Sequence, residues 1–180
     1  MLLVVDNGSI YTPNLVDFLI DKDILFEKIS PNEINLDNLK KYDSFILSGR
    51  RRNEKKTNQI NSKIITHSIQ HQKKLLGICY GAEILALTLG GTLKKLEIPQ
   101  KGIEEISMIK ENVLINNKIK VFESHGYEIA RLPNSILTIA SSENCKNEII
   151  KLNGKLIFGT QFHPEMTSNG KDLIDKFCLL

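Results

Sequence analysis

Short apolar runs alternate with amphipathic stretches along the first half of the chain, and this alternation restricts the fold more than any other feature. Leu2–Val5 is predicted as a buried strand, and Leu15, Phe18 and Leu19 share one face of a helix expected over residues 14–22. Residues 24–29 and Ser44–Leu47 read as a second and a third strand. Residues 58–71 read as a helix carrying Ile60, Ile64 and Ile65 on one side, and residues 75–78 as a fourth strand. A helix over residues 82–89 stops at Gly90-Gly91, a C-terminal signal. Strands joined by helices pair in parallel, which calls for an α/β sheet with helices on both faces. From Thr92 the pattern changes to short β-rich pieces separated by turn signals: 103–109, 113–115, 119–122, 136–140, 148–152 and 156–158. These suggest a smaller antiparallel β layer or an extension of the sheet, with a last helix near 170–177. No repeat, low-complexity segment or linker interrupts the chain, so one domain over residues 1–180 is expected.

Composition narrows the class. Hydrophobic residues make up 41% and charged residues 25%, as in a globular domain that buries a substantial core. The first residues lack a basic n-region and reach Asp6 too soon for a signal peptide, and no apolar run has membrane-spanning length. Cys79, Cys145 and Cys178 are odd in number and lack metal-ligand spacing, so neither a disulfide framework nor a zinc site is indicated. A cytoplasmic protein is expected. Net charge is +3, and Lys and Glu are interleaved except in Arg50-Arg51-Arg52-Asn53-Glu54-Lys55-Lys56. No aromatic platform or recognition motif accompanies this run, which reads as a solvated loop; binding to nucleic acid or to membrane is not expected.

A cysteine stands where the fourth strand meets the next helix, in Gly77-Ile78-Cys79-Tyr80-Gly81. Packing is one explanation, because free Cys behaves as a small buried hydrophobe. A nucleophile on a tight strand-to-helix turn is the other. Glycines on both sides permit a sharp turn, and the N–H groups and dipole of a helix start favour a thiolate. A thiol nucleophile also needs a base and an orienter for that base. Of the four histidines, His67 and His71 fall on a polar helix and read as surface residues. His163 lies in Gly159-Thr160-Gln161-Phe162-His163-Pro164-Glu165, directly after an apolar run. In an extended segment residues two apart point the same way, which lets Glu165 reach the imidazole of His163.

"GICYG" followed by "GTQFHPE" resembles the class I (triad) glutamine amidotransferases. The resemblance covers nearly the whole chain: "LLVVDNGSIYT" is similar to the family's opening strand and turn, "FILSG" to its oxyanion strand, "SHGYEIARLP" to its substrate loop and "GKDLIDKFC" to its last helix. It implies an open, flavodoxin-like sheet in which Cys79 attacks the side-chain amide of glutamine to form a γ-glutamyl thioester. His163 would protonate the departing ammonia and activate water, with Glu165 orienting it. The oxyanion would be held by backbone N–H groups of Tyr80 and of the loop at Gly49 and Arg50, while Ser124 and His125 match the loop that helps hold glutamine. No metal or organic cofactor is implied. Family members pass ammonia to a synthetase, and 180 residues leave no room for one, so a separate subunit is implied. The wording is nearest to the glutaminase subunit of two-subunit GMP synthetases, whose ATP-binding subunit would be the partner; the opening segment is also similar to anthranilate and aminodeoxychorismate synthase glutaminase subunits.

Three positions depart from the family pattern. Gly49-Arg50-Arg51 replaces Gly-Gly-Pro, Glu83 replaces a Gln one helical turn after the nucleophile, and Tyr127 replaces an Asp. Alone, a carboxylate at Glu83 would disfavour a thiolate and repel the α-carboxylate of glutamine. Arg50 and Glu83 either pair and cover the nucleophile at rest, or Arg50 points to solvent with Arg51 and Arg52. Three functions stay open accordingly: a glutaminase silent until its synthetase docks, an impaired regulatory subunit, or a hydrolase of another γ-glutamyl amide. The basic loop is also a candidate docking face for an acidic synthetase surface.

Overall fold

The computed structural model describes residues 1–180. Nine strands form one sheet in the order β2-β1-β3-β4-β9-β8-β7-β5-β6. β1 (Leu2–Val5), β2 (Phe26–Ile29), β3 (Ser44–Leu47), β4 (Lys74–Ile78) and β9 (Ile157–Thr160) are mutually parallel. β5 (Thr92–Met108), β6 (Ile119–Arg131), β7 (Ile136–Ser141) and β8 (Ile149–Leu152) extend it by antiparallel pairing. The expected α/β sheet with an antiparallel second half is therefore present, as one continuous sheet.

Alternation along the strands builds two cores. Leu2 and Val4 join Ile46, Leu76 and Phe158 under α1 (Thr12–Asp21) and α4 (Ser168–Leu179), which contribute Leu15, Leu19, Ile174 and Phe177. Leu3 and Val5 face the other way, with Phe45, Leu47 and Leu75 under α2 (Lys55–Gln70) and α3 (Tyr80–Thr88), which contribute Ile64, Ile65 and Leu85. Covered on both faces, β1, β3 and β9 are buried from end to end. No helix is long and apolar enough to cross a membrane.

Differences from the sequence reading have local causes. β5 begins at Thr92 and not near 103, because its first half is a polar, largely exposed ribbon paired to β6, with register shifts at Thr92/Leu93 and Lys95/Gln100. The segment 113–115 is no strand: Asn112 Oδ1 accepts from the N–H groups of Leu114 and Ile115 and turns the chain. Ser124 and His125 lie within β6, not in a loop. α2 starts at Lys55, so the basic run is divided between a loop and a helix. His67 is half-buried, its ring 6.0 Å from Phe45, and burial, then the His71 and Lys73 charges, lower its pKa. α3 ends as expected, with Gly90 at φ 93° and the Gly91 N–H returned to Ala86 O.

The carboxyl ends of β1, β3, β4 and β9 converge, which is where open α/β sheets present reactive groups. At β4 the approach is unusually close. A Cβ at Gly81 would lie 2.3 Å from Leu47 O, and one at Gly77 would lie 2.4 Å from the Gly81 backbone. α3 can start this near β3 only because both residues are glycine. Gly81→Ala should therefore lower stability by about 3 kcal/mol, roughly 6–12 °C in Tm. Gly126→Ala, whose nearest neighbour would be Pro99 Cγ at 3.9 Å, should change it by less than about 0.5 kcal/mol in the same thermal melts.

Candidate active site

Cys79 occupies the turn between β4 and α3 with φ 50° and ψ −103°, a conformation strained for any residue with a Cβ. Its backbone is fixed on both sides: the Cys79 N–H donates to Thr160 O at 2.7 Å, and Cys79 O accepts from Ala82 and Glu83 at 3.0 Å. Strain held this firmly presents the side chain at the head of α3.

His163 and Glu165 follow β9. Nδ1 of His163 lies 2.9 Å from Glu165 Oε1, and both residues are buried. That contact commits Nδ1 as donor and leaves Nε2 as the basic nitrogen. The reach is achieved differently from the extended spacing read in the sequence: Pro164–Met166 is a 3₁₀ turn with an extended His163 at its start. Three further contacts seat the imidazole. The His163 N–H donates to Phe122 O, the ring lies 4.5 Å from the ring of Tyr11, and a Cβ at Gly49 would come within 2.8 Å of His163 Cε1. Gly49 is thus required for the histidine to lie against the loop after β3. Tyr11 also donates from its hydroxyl to Ser124 Oγ at 3.2 Å. Nothing in the sequence marked Tyr11, whose contacts come from residues distant in the chain.

Cys79 and His163 line one cavity of about 310 Å³ with Tyr11, Arg51 and Ser124. Cys79 also opens on a second, of about 320 Å³, walled by Tyr80, Glu83, His125 and Tyr127. Arg50 and Arg51 line both. No group of three or more His, Cys, Asp or Glu side chains is arranged to hold a metal.

Arg50 and Glu83 come together, and Arg50 does not follow Arg51 and Arg52 into solvent. Arg50 Nη2 is 4.0 Å from Glu83 Oε2, longer than a hydrogen bond but within ion-pair range. The guanidinium lies 4.2 Å over the Tyr80 ring, and its Nη1 donates to Asn53 Oδ1 at 2.6 Å and to Asn58 Oδ1 at 3.2 Å. The Arg50 backbone forms an isolated antiparallel bridge with Gly8. Gln161 contacts Glu83 Oε1 at 3.5 Å and links it to β6 by donating to Tyr127 O and accepting from the Ile129 N–H.

The field at the thiol opposes the sequence expectation. Burial, then the Glu83 and Glu165 carboxylates, raise the Cys79 pKa well above its ordinary value, and the Tyr80 N–H only partly offsets them. The helix start does not by itself yield a resting thiolate, because desolvation and two nearby negative charges outweigh it. Burial also raises Glu83, against the lowering effects of Arg50 and Gln161. The site therefore favours a thiol over a thiolate and opens it on the same cavity as a histidine whose Nε2 is not engaged by Glu165, an arrangement suited to base-assisted thiol attack.

Comparison with known proteins identifies the family of the chain. The family model described as Glutamine amidotransferase class-I matches residues 3–179. The glutamine-hydrolyzing GMP synthase subunit of Pyrococcus furiosus is 33% identical over 98% of this chain and 96% of its own length. Its counterpart of the same description in Methanocaldococcus jannaschii is 32% identical over 99% and 96%. A crystal structure from Thermoplasma acidophilum, described as a GMP synthase subunit, superposes with a TM-score of 0.87 at 28% identity, covering 98% of this chain and 91% of that one. A glutamine amidotransferase from Thermotoga maritima shares the fold, with a TM-score of 0.79 at 20% identity over 97% of this chain and 80% of its own. Matched from its first strand to its last helix, the chain belongs to the class-I glutamine amidotransferases.

Proposed function

We propose that this chain is a glutaminase subunit that hydrolyses glutamine to glutamate and ammonia and delivers the ammonia to a separate synthetase, for the amination of xanthosine monophosphate to GMP. The observation that carries the chemistry is the strained Cys79 sharing a cavity with His163, whose Nδ1 is held by Glu165. Nε2 of His163 takes the thiol proton as sulfur attacks the amide carbon, then delivers it to the departing nitrogen. Ammonia leaves and a thioester remains. The same nitrogen deprotonates water for hydrolysis, and Glu165 balances the imidazolium in each half-reaction. The Tyr80 N–H is one oxyanion donor, and the backbone at Gly49 and Arg50 is the other. The 180 residues act as one domain. The named relatives, each described as one part of a GMP synthase and matched over 96% of its own length, support a partner on another chain. They also favour GMP formation over the anthranilate and aminodeoxychorismate pathways.

Arg50 and Glu83 suit the zwitterionic end of the substrate, with Arg50 toward the α-carboxylate and Glu83 toward the α-ammonium. Filling those charges relieves the negative field on the thiol. At rest the pair answers itself across 4.0 Å, and its opening is the step a docked partner facilitates.

Ammonia release by the wild-type chain, measured alone and with the ATP-binding subunit, ATP and xanthosine monophosphate, should rise with the partner and vanish in Cys79→Ala. Silence of the wild type in both assays would reject this function. Glu165→Gln should lower kcat roughly 10³-fold with a smaller change in KM. Arg50→Gly together with Glu83→Gln should raise partner-free kcat about tenfold or more, as removal of a restraint of about 1.4 kcal/mol requires. A fall would show that the pair serves only to bind substrate.

A further inference from the structure

Behind the cavity wall lies a row of buried ionisable groups that the proposed chemistry leaves unused. Glu123 and His125 lie two apart on β6 and therefore on one face, and Glu148 lies just before β8; all three are buried, Glu148 completely. Glu128, also on β6, is answered by Lys94 Nζ at 2.7 Å. Glu123 has no lysine or arginine. Its Oε2 lies 2.9 Å from His125 Nε2, an ion-pair contact and not a hydrogen bond, since neither atom has a hydrogen-bond partner. The other ring nitrogen, Nδ1, lies 2.8 Å from Tyr127 O.

A neutral imidazole has one N–H donor, yet both nitrogens of His125 face acceptors. Only the imidazolium places a proton toward the Tyr127 carbonyl and a charge toward Glu123 at once. Burial works against that charge, but the Glu123 carboxylate, then the Tyr127 carbonyl and Glu83, outweigh it and raise the His125 pKa. Burial, then the neighbouring Glu123 carboxylate, hold Glu148 well above the usual carboxylate range. Ionisation of Glu148 is thus disfavoured, while the charged form of His125 is favoured. The other groups facing His125 are few: Glu83 from α3, itself paired with Arg50, and neutral Gln100, its partner on β5.

We propose that Glu123 is a positioning residue: its carboxylate, at ion-pair distance from Nε2, and the Tyr127 carbonyl at Nδ1 hold the His125 ring between them, and His125 thereby pins residues 124–127 against the thiol cavity. Glu123 touches neither substrate nor thiol in this arrangement. It acts through His125 on a segment that contributes Ser124, His125 and Tyr127 to the cavity wall. The proposal deepens the glutaminase reading, since it takes that segment to hold glutamine. Deprotonation of His125 removes one of its two donors and loosens the segment, so KM for glutamine rises on the alkaline side. Without the Glu123 charge this rise comes at lower pH.

The experiment pairs NMR titration of the His125 Cε1–H with KM and kcat for glutamine across pH, in the partner-activated enzyme. Wild-type His125 should titrate above the ordinary value near about 6.5. In Glu123→Gln both its titration and the alkaline rise in KM should move to lower pH, with KM at pH 8 up about tenfold and kcat changed far less. Glu148→Gln should gain stability relative to wild type as pH rises. Protonated Glu148 stabilises the fold fully below the unfolded value near about 4.3, and that contribution is lost as pH climbs toward the raised folded value. A wild-type His125 that titrates at or below the ordinary value, or the same titration in Glu123→Gln, overturns the proposal. The wild-type measurement decides it even if the variant does not fold. Expected titrations without ammonia release in any assay would instead overturn the glutaminase reading and leave the ionic row intact.

Discussion

The head of α3 can approach β3 only through two residues without side chains, and the rest of the site depends on that approach. With Gly81 against Leu47 O and Gly77 against Gly81, the chain must reverse between them within three residues. Cys79 takes the strained conformation that results, at φ 50°. A relaxed turn would need more length and would draw the sulfur back among the core side chains with which Cys79 already clusters. The packing and nucleophile explanations of this cysteine are therefore compatible: the residue is buried because the turn is tight, and it is aimed because the turn is strained.

Burial at this point gathers charge as well as apolar surface. Glu83, Glu123 and Glu165 are all nearly inaccessible, and each has a cationic or proton-sharing partner: Arg50, His125 and His163. An unpartnered carboxylate at such depth costs several kcal/mol, so the pairs are obligatory wherever these acids occur. Burial first, and then their summed field, hold the Cys79 pKa well above its ordinary value. The site thus holds its thiol, its imidazole and its buried charges as partners of one another, and replacing any one partner alters the field on the others.

The parallel half of the fold was legible because its strands are buried on both faces and read as unbroken apolar runs, as in Leu2–Val5 and Ser44–Leu47. The β5–β6 ribbon was not, since a strand carrying "KKLEIPQKG" is exposed along much of its length and has no apolar alternation to detect. Cys79, His163 and Glu165 could be named from short local patterns, and Arg50 and Glu83 from opposite departures at one site. The His163–Glu165 contact was foreseen through the wrong local geometry, a strand where the chain makes a 3₁₀ turn. Tyr11, Gln161 and Glu123 were invisible because their significance lies entirely in neighbours that only the folded chain supplies.

Arg50 and Arg51 wall both openings onto the sulfur, one toward His163 and the other toward Glu83 and His125. Two passages with a common jamb cannot be adjusted independently. Any displacement of residues 50–51 that widens one reshapes the other in the same motion, so the two cavities share a single mechanical variable. A change of shape on one side of the sulfur is felt on the other through two adjacent arginines, without a separate signal having to travel through the fold.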